Sequence, residues 1–486
     1  MKKTIRAAAL TVALAVAVPA LSFADEMDDL FSDASTEIEQ AKVVDDLESS
    51  MFTANPFTWS GDLTLEGGAG IGYTKTIAES PDWANPNESL LFNFKTRLWF
   101  DARPDKNFRV FGKFAMVYPF KKDANLTVWN KYLEVDELTN ISVNNIEVFE
   151  IFADFNWKEA LFFRAGKQNV SWGSSYFYQV ADPLSVGVKD PTDPTADLEG
   201  PFALKVSLPF GLNSVTVIGA LKESYVKDLA SASIKDFGVG AKGDFYVKVP
   251  ENKLFGNGQL SLAAYYQRNL SPRFVGSYTM SVGKFQLFTD QVVTLGLDSY
   301  RLASTTVYPG IYDTEKPGLD KPFYSATAGF TYMKSDWDLT VHGEYFFNGA
   351  GSTSKTYYKD WMYRYGAEQP STMFPTPLVA STLTGSDLGG YLGAHNSALS
   401  VSWSELFQND HFSFSTTWLQ NWCDLSGMIK PSITWMPFKH FSIEAGAVFS
   451  WGDDQSEWVL KTTNRQTGKA NRTLGYLMFK LTDAKF

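Results

Sequence analysis

Phe57–Tyr73 reads FTWSGDLTLEGGAGIGY, and its alternation decides the fold. Trp59, Gly61, Leu63, Leu65, Gly67, Ala69, Ile71 and Tyr73 fall on one face, and Ser60, Asp62, Thr64 and Glu66 on the other. A period of two belongs to a β-strand whose faces meet unlike surroundings. The next such stretch sets Leu90, Phe92, Phe94, Leu98 and Phe100 against Asn93, Lys95, Arg97, Asp101 and Arg103. Similar segments begin near Phe108, Asn145, Leu161, Pro201, Ser214, Asp236, Gly258, Arg273, Phe285, Phe323, Trp337, Asn396, Phe412, Ser426, Phe441 and Arg472. They make about eighteen strands (16–18), each near the roughly 9–11 residues that a tilted membrane strand needs.

The connections alternate as well. Short breaks follow the second, fourth, sixth, twelfth and sixteenth strands, at Pro104–Asn107, Lys158–Ala160, Phe210–Asn213, Lys334–Asp336 and Pro437–His440. Long gaps follow the first, third, fifth, eleventh, thirteenth and seventeenth, the longest from Asn348 to His395. Short turns at one rim and long loops at the other are the habit of outer-membrane barrels. The expected fold is all-β, a transmembrane antiparallel β-barrel with both termini periplasmic and the long loops at the cell surface.

Outside that region the chain reads differently. Lys2, Lys3 and Arg6 precede an apolar run from Ala7 to Val18, and Ser22 and Ala24 supply small residues. This is the pattern of a signal peptide, 1–24, cleaved after Ala24. Residues 25–56 form an acidic, partly helical segment, expected in the periplasm, with Leu30, Ala34, Ile38, Ala41 and Val44 at helical spacing. The barrel is expected over 57–486. The net charge is −11, and loss of Lys2, Lys3 and Arg6 takes it to −14, most of it between Asp25 and Ser50. Such a balance gives no support to nucleic-acid binding. Cys423 is the only cysteine, so an internal disulfide is excluded. No further apolar stretch reaches the roughly 18 residues of a membrane helix. Aromatic residues make up 15% of the chain, as interfacial girdles require. The chain ends on Phe486, in phase with Leu474, Tyr476 and Met478, whereas Leu477, Phe479 and Leu481 fall on the other face. A bulge near Lys480 is expected to reconcile the two series.

The polar face should border the lumen, because a basic side chain at the lipid midplane costs about 2–4 kcal/mol. On the second and third strands it carries Lys95, Arg97, Arg103, Arg109 and Lys113. Arg164, Lys205 and Lys242 extend this basic wall, with Glu150 and Asp154 among them. Two readings stand: paired charges that brace the wall, or a basic ladder facing an acidic inner loop across a constriction. The segment from Gly173 to Gly200 suits the second, since Tyr176, Tyr178, Asp182, Asp190 and Asp193 lie in a stiff, proline-rich stretch. It either folds into the lumen or stays at the surface.

Arg164, Gly166, Lys167, Gln168, Trp172 and Gly173, followed by Ala181, Asp182 and Pro183, resemble a segment of the substrate-channel porins of the alginate-export and phosphate-selective type. The resemblance covers about twenty residues and the general barrel plan. It implies a passive channel, with Arg164 and Gln168 facing the lumen beside the loop they precede.

Enzymatic chemistry has little footing. His395 and Ser397 share a face, as in barrel phospholipases, but the glycine-rich context and an orienting partner are missing. His342 and Glu344 make no closed metal set. The expectation is a porin-like channel for small hydrophilic solutes, without a cofactor, in contact with the bilayer and the barrel-assembly machinery, with a homo-oligomer as an open option. The alternatives are a surface adhesin using its long loops and a hydrophobic-substrate transporter.

Overall fold

The computed structural model describes residues 57–481 apart from 80, 119–145, 185–190, 193, 195–199, 222–235, 249–256, 269, 299–300, 309–310, 316, 356–392, 454–455 and 462–470. The expected signal peptide, the acidic segment 25–56, Asp190, Asp193 and Phe486 therefore lie outside the described residues.

The first strands are β1 (Phe57–Tyr73), β2 (Asn87–Asp105), β3 (Phe108–Tyr118), β4 (Ile146–Trp157), β5 (Leu161–Lys167), β6 (Phe202–Phe210) and β7 (Asn213–Leu221). There follow β8 (Gly238–Val247), β9 (Gly258–Tyr266), β10 (Arg273–Val282), β11 (Phe285–Leu295), β12 (Arg301–Tyr308) and β13 (Ile311–Glu315). The last are β14 (Pro322–Lys334), β15 (Leu339–Asn348), β16 (His395–Trp403), β17 (Phe412–Asn421), β18 (Gly427–Phe438), β19 (Phe441–Trp451) and β20 (Thr473–Leu481). All but β12 and β13 belong to one 18-stranded antiparallel sheet. It closes on itself, because β1 pairs with β2 on one edge and with β20 on the other. The eighteen expected strands are these eighteen. The β12–β13 hairpin forms a separate two-stranded sheet in the connection from β11 to β14, and the sequence reading did not anticipate it.

Alternation sets the two faces. Trp59, Leu90, Leu98, Leu204, Leu262 and Phe274 project from the outer surface, whereas Asp62, Asp290 and Glu344 are buried on the inner one. Turns such as Asp105–Phe108, Phe210–Asn213 and Val282–Phe285 form one rim, and the connections after β1, β3, β5, β11, β15 and β19 form the other. Phe57 and Leu481 both stand at the turn rim. Aromatic pairs gather there on the outside, with Trp337 stacked on Trp403 at 5.8 Å and Phe438 on Phe441 at 5.7 Å.

Of the two apolar series of the last strand, one faces outward. Leu477, Phe479 and Leu481 carry the outer apolar series, and Tyr476 and Lys480 turn inward. Pairing with β1 and β19 runs unbroken from Thr473 to Leu481, so no bulge occurs at Lys480. The cause is electrostatic. The Lys480 ammonium lies 2.7 Å from Glu444 and 3.5 Å from Glu66, which joins β19, β20 and β1 across the closing seam. Register shifts fall elsewhere, between Ala102 and Asp105 on β2, between Lys113 and Phe114 on β3 and between Trp435 and Phe438 on β18.

Replacing Lys480 with methionine leaves Glu66 and Glu444 facing each other without their cation. The thermal midpoint in the heat-modifiability gel shift should fall by an amount corresponding to about 1–3 kcal/mol, while Lys439→Met, in an exposed turn, should leave it unchanged.

Candidate functional site

The connection after β5 turns into the barrel. Gln168 pins its base: the side-chain amide donates to the Ala203 carbonyl at 2.8 Å, and the backbone N–H donates to that of Pro201 at 3.1 Å. Gln168 is thereby fully enclosed and borders no open lumen, which corrects the expectation for it. Its amide is spent on β-strand carbonyls. Trp172 then packs edge-on to Tyr265 and over Gly240, where a Cβ would lie 2.7 Å from the indole.

Gly173 bends the chain at φ +92°, in the left-handed region that only glycine adopts freely. A Cβ there would also stand 2.5 Å from that of Ala181. Five consecutive backbone N–H groups then meet two carboxylates of the inner wall. Ser174 and Ser175 donate to Asp290 on β11, each at 2.9 Å, and the Ser175 hydroxyl also reaches Asp290 and the Thr327 hydroxyl. Tyr176, Phe177 and Tyr178 donate to Glu344 on β15 at 2.8, 3.0 and 2.9 Å. Tyr176 stacks on His342 at 4.1 Å, and Tyr178 on Phe346 at 5.0 Å. The chain then returns, with Ala181 against Val275 and Val292, and Leu184 in the cluster of Val170 and Trp172. Asp290 stands midway along β11, so the tip of this excursion meets the wall about 17 Å along the strand from its loop end at 3.4 Å per residue.

A second connection meets it. The short helix Glu457–Lys461, between β19 and β20, is held by the Glu457 N–H on Asp424 at 2.8 Å and by the Asn421 amide on Glu457 at 2.7 Å. Trp458 from this helix joins Phe177, Tyr178, Leu419 and Met428 in one buried cluster.

The charged residues collect on another arc of the inner wall. Asp101 binds Arg103 at 3.1 Å and Arg109 at 3.0 Å; Asp154 binds Arg164 at 2.6 Å and Arg109 at 3.4 Å. The Arg164 guanidinium lies 3.9 Å from the centre of the Phe152 ring. Lys205 pairs in register with Arg164, and both line a cavity of about 290 Å³ together with Arg103 and Arg109. Lys113 sits opposite Glu150, whose carboxylate also accepts the Asn169 N–H at 2.9 Å and so ties the wall to the loop base. Arg97 is paired with Asp62 at 2.5 Å and Lys242 with Asp244 at 3.0 Å, and Lys95 lies in register with Thr64. Arg103, Arg109, Asp154, Arg164 and Lys205 thus form one cluster, and the remaining basic residues stand apart from it.

Within the loop, Asp182 is buried and accepts the Leu184 N–H at 3.0 Å, so it shapes a turn. Sequence reasoning missed the roles of Asp290, Thr327 and Trp458, and weighed Glu344 only beside His342 as an incomplete metal set. A signal existed. Asp290 and Glu344 are inward carboxylates whose cross-strand neighbours, Ser277, Thr327, Gly329 and Ala398, are all uncharged.

His395 and Ser397 lie on the outer face, bonded respectively to the Tyr345 hydroxyl at 2.6 Å and the Trp422 indole N–H at 2.8 Å. Among the described residues no cluster of three potential metal ligands occurs.

No family model matches the chain, and no curated protein matches it. Solved structures similar to it include the outer membrane protein opdK from Pseudomonas aeruginosa, at 7% identity and TM-score 0.42, covering 88% of this chain and 99% of that one. Pseudomonas aeruginosa OccK9 (OpdG) gives 8%, 0.43, 87% and 98%. A BenF-like porin from Pseudomonas fluorescens Pf-5 gives 6%, 0.44, 87% and 98%. The names of these three carry neither alginate export nor phosphate selectivity. Likenesses this distant transfer no residue role, and the functional reading rests on the geometry of this chain.

Gly173→Val combines a forbidden φ with a clash against Ala181. Chymotrypsin should then cut the folded protein after Tyr176, Phe177 or Tyr178, which the native barrel protects; an unchanged digestion pattern would show that the bend does not depend on glycine.

Proposed function

We propose that the chain is a porin-like channel of the outer membrane of a diderm bacterium, passing small hydrophilic solutes by diffusion and favouring anions. Both termini would face the periplasm and the long loops the cell surface. An eighteen-stranded barrel encloses more space than its own side chains fill, and its outer surface is an apolar, aromatic-edged band. One observation carries the reading. The inserted loop starts against β6, β7 and β9, and its tip, Ser174–Tyr178, sits on β11 and β15–β18, where inward charges are few, across the barrel from the β2–β5 wall that bears Arg97, Arg103, Arg109, Lys113 and Arg164. A solute crossing the waist would pass between the loop and that wall, inside the field of the basic residues.

Against the hydrophobic-substrate alternative, Trp172, Phe177, Tyr178 and Trp458 fill the apolar inner patches. The adhesin alternative rests on the connection from Asn348 to His395, most of which lies outside the described residues.

Refolded protein in planar bilayers should give stable single-channel steps, and its reversal potential in a salt gradient should report anion preference. Lys205→Glu should lower the anion-to-cation permeability ratio roughly two-fold or more. A channel that prefers cations, with a ratio untouched by this change, would remove the basic wall from the mechanism.

A further inference from the structure

We propose that Asp290 and Glu344 are positioning residues that set the bore of the channel by holding the loop tip, Ser174–Tyr178, at the barrel waist. The inference rests on the channel reading above and assigns the control of its width. Both carboxylates are buried, and among the described residues no basic side chain pairs with either. A buried carboxylate without a compensating partner is strongly disfavoured. Here the compensation comes from five successive backbone N–H groups of a single loop. Successive amides turned toward one anion form a nest, which fixes the path of the backbone.

Apolar packing alone leaves that path less defined. Phe177 and Tyr178 fill a cluster with Phe346, Leu419 and Trp458, and such contacts are non-directional. The carboxylates add direction, because each of the five N–H groups donates to a particular carboxylate at 2.8–3.0 Å. Trp458 closes over the tip from the β19–β20 connection, so two loops and two strands share one clasp.

The test exploits shape-preserving amides. In Asp290→Asn and Glu344→Gln a carboxamide keeps the size of the carboxylate but presents an NH₂ group to the loop N–H donors. The double variant should fold, as read by the gel shift, and its single-channel conductance should rise roughly two-fold or more, with passage of larger neutral sugars. Cysteines at Ser175 and Thr327, whose hydroxyl oxygens lie 2.5 Å apart, provide the rescue once Cys423→Ser removes the native thiol. In the double variant, oxidation of that pair should restore the native step size, and dithiothreitol should enlarge it again. Native conductance in the double variant, or an enlarged one that oxidation leaves unchanged, overturns the proposal. If the native protein gives no steps, the channel reading fails. Hydrogen exchange at the five amides then decides the tether alone: retained protection in the double variant overturns it, and fast exchange supports it.

Discussion

A β-strand carries a row of N–H and C=O groups along each edge, and in a hydrocarbon layer no water is present to satisfy them. Closure is the constraint on which everything else depends. Here it is met where β20 lies between β19 and β1, with continuous register on both sides. Lys480 places a cation between carboxylates on the two flanking strands, so the side chains of the seam repeat the instruction given by its backbone. Once the sheet is closed, every strand has an inside and an outside. The alternation from Phe57 onward then becomes a division between an apolar outer surface and a polar lumen.

The lumen is divided in turn. An inserted loop removes water from whatever wall it covers, and covering a guanidinium is far more costly than covering a hydroxyl or an alanine. The inward positions of β14, β16 and β17 are accordingly Ser325, Thr327, Ala398, Ser400, Ser415 and Thr417. Beside His342, on which Tyr176 stacks, the ionisable groups that receive the loop tip are the two carboxylates, which suit a backbone that offers donors. A lysine or arginine in their place would meet the same N–H groups as a repulsive donor. Arg97, Arg103, Arg109 and Arg164 instead occupy the β2–β5 wall, where each is shared with a carboxylate and remains in contact with solvent.

The parts of this arrangement that were legible in the sequence are the local ones. Period-two alternation and loop length located all eighteen barrel strands, since each strand carries its own signal. The sequence left the last strand with two apolar series, Leu474, Tyr476 and Met478 against Leu477, Phe479 and Leu481; the position of Lys480 between Glu66 and Glu444 separates them, and that is a three-strand relation. Gln168 had the phase of a lumen residue but is consumed by the Ala203 carbonyl, a partner thirty-five positions away. The loop could be recognised as stiff and aromatic. Its destination could not, because Asp290 and Glu344 lie more than a hundred residues downstream. An unmatched inward carboxylate becomes informative only after the neighbouring strands have been aligned.

The overall charge of −11 is a poor guide to the lumen. Screening limits exposed charges to neighbours within about 8–10 Å at ordinary ionic strength, so a sum over the whole chain does not decide the field at any one place. What matters there is how each group is shared. Asp101 serves Arg103 and Arg109, and Asp154 serves Arg109 and Arg164, which leaves these guanidiniums in excess of their carboxylates before Lys205 is added. Pairing braces the arginines in fixed orientations and leaves a residual positive charge on the same arc. For the proposed channel, bracing and selectivity are therefore compatible: a rigid, partly compensated cluster would attract an anion without the fully desolvated charge that would hold it too tightly to be released.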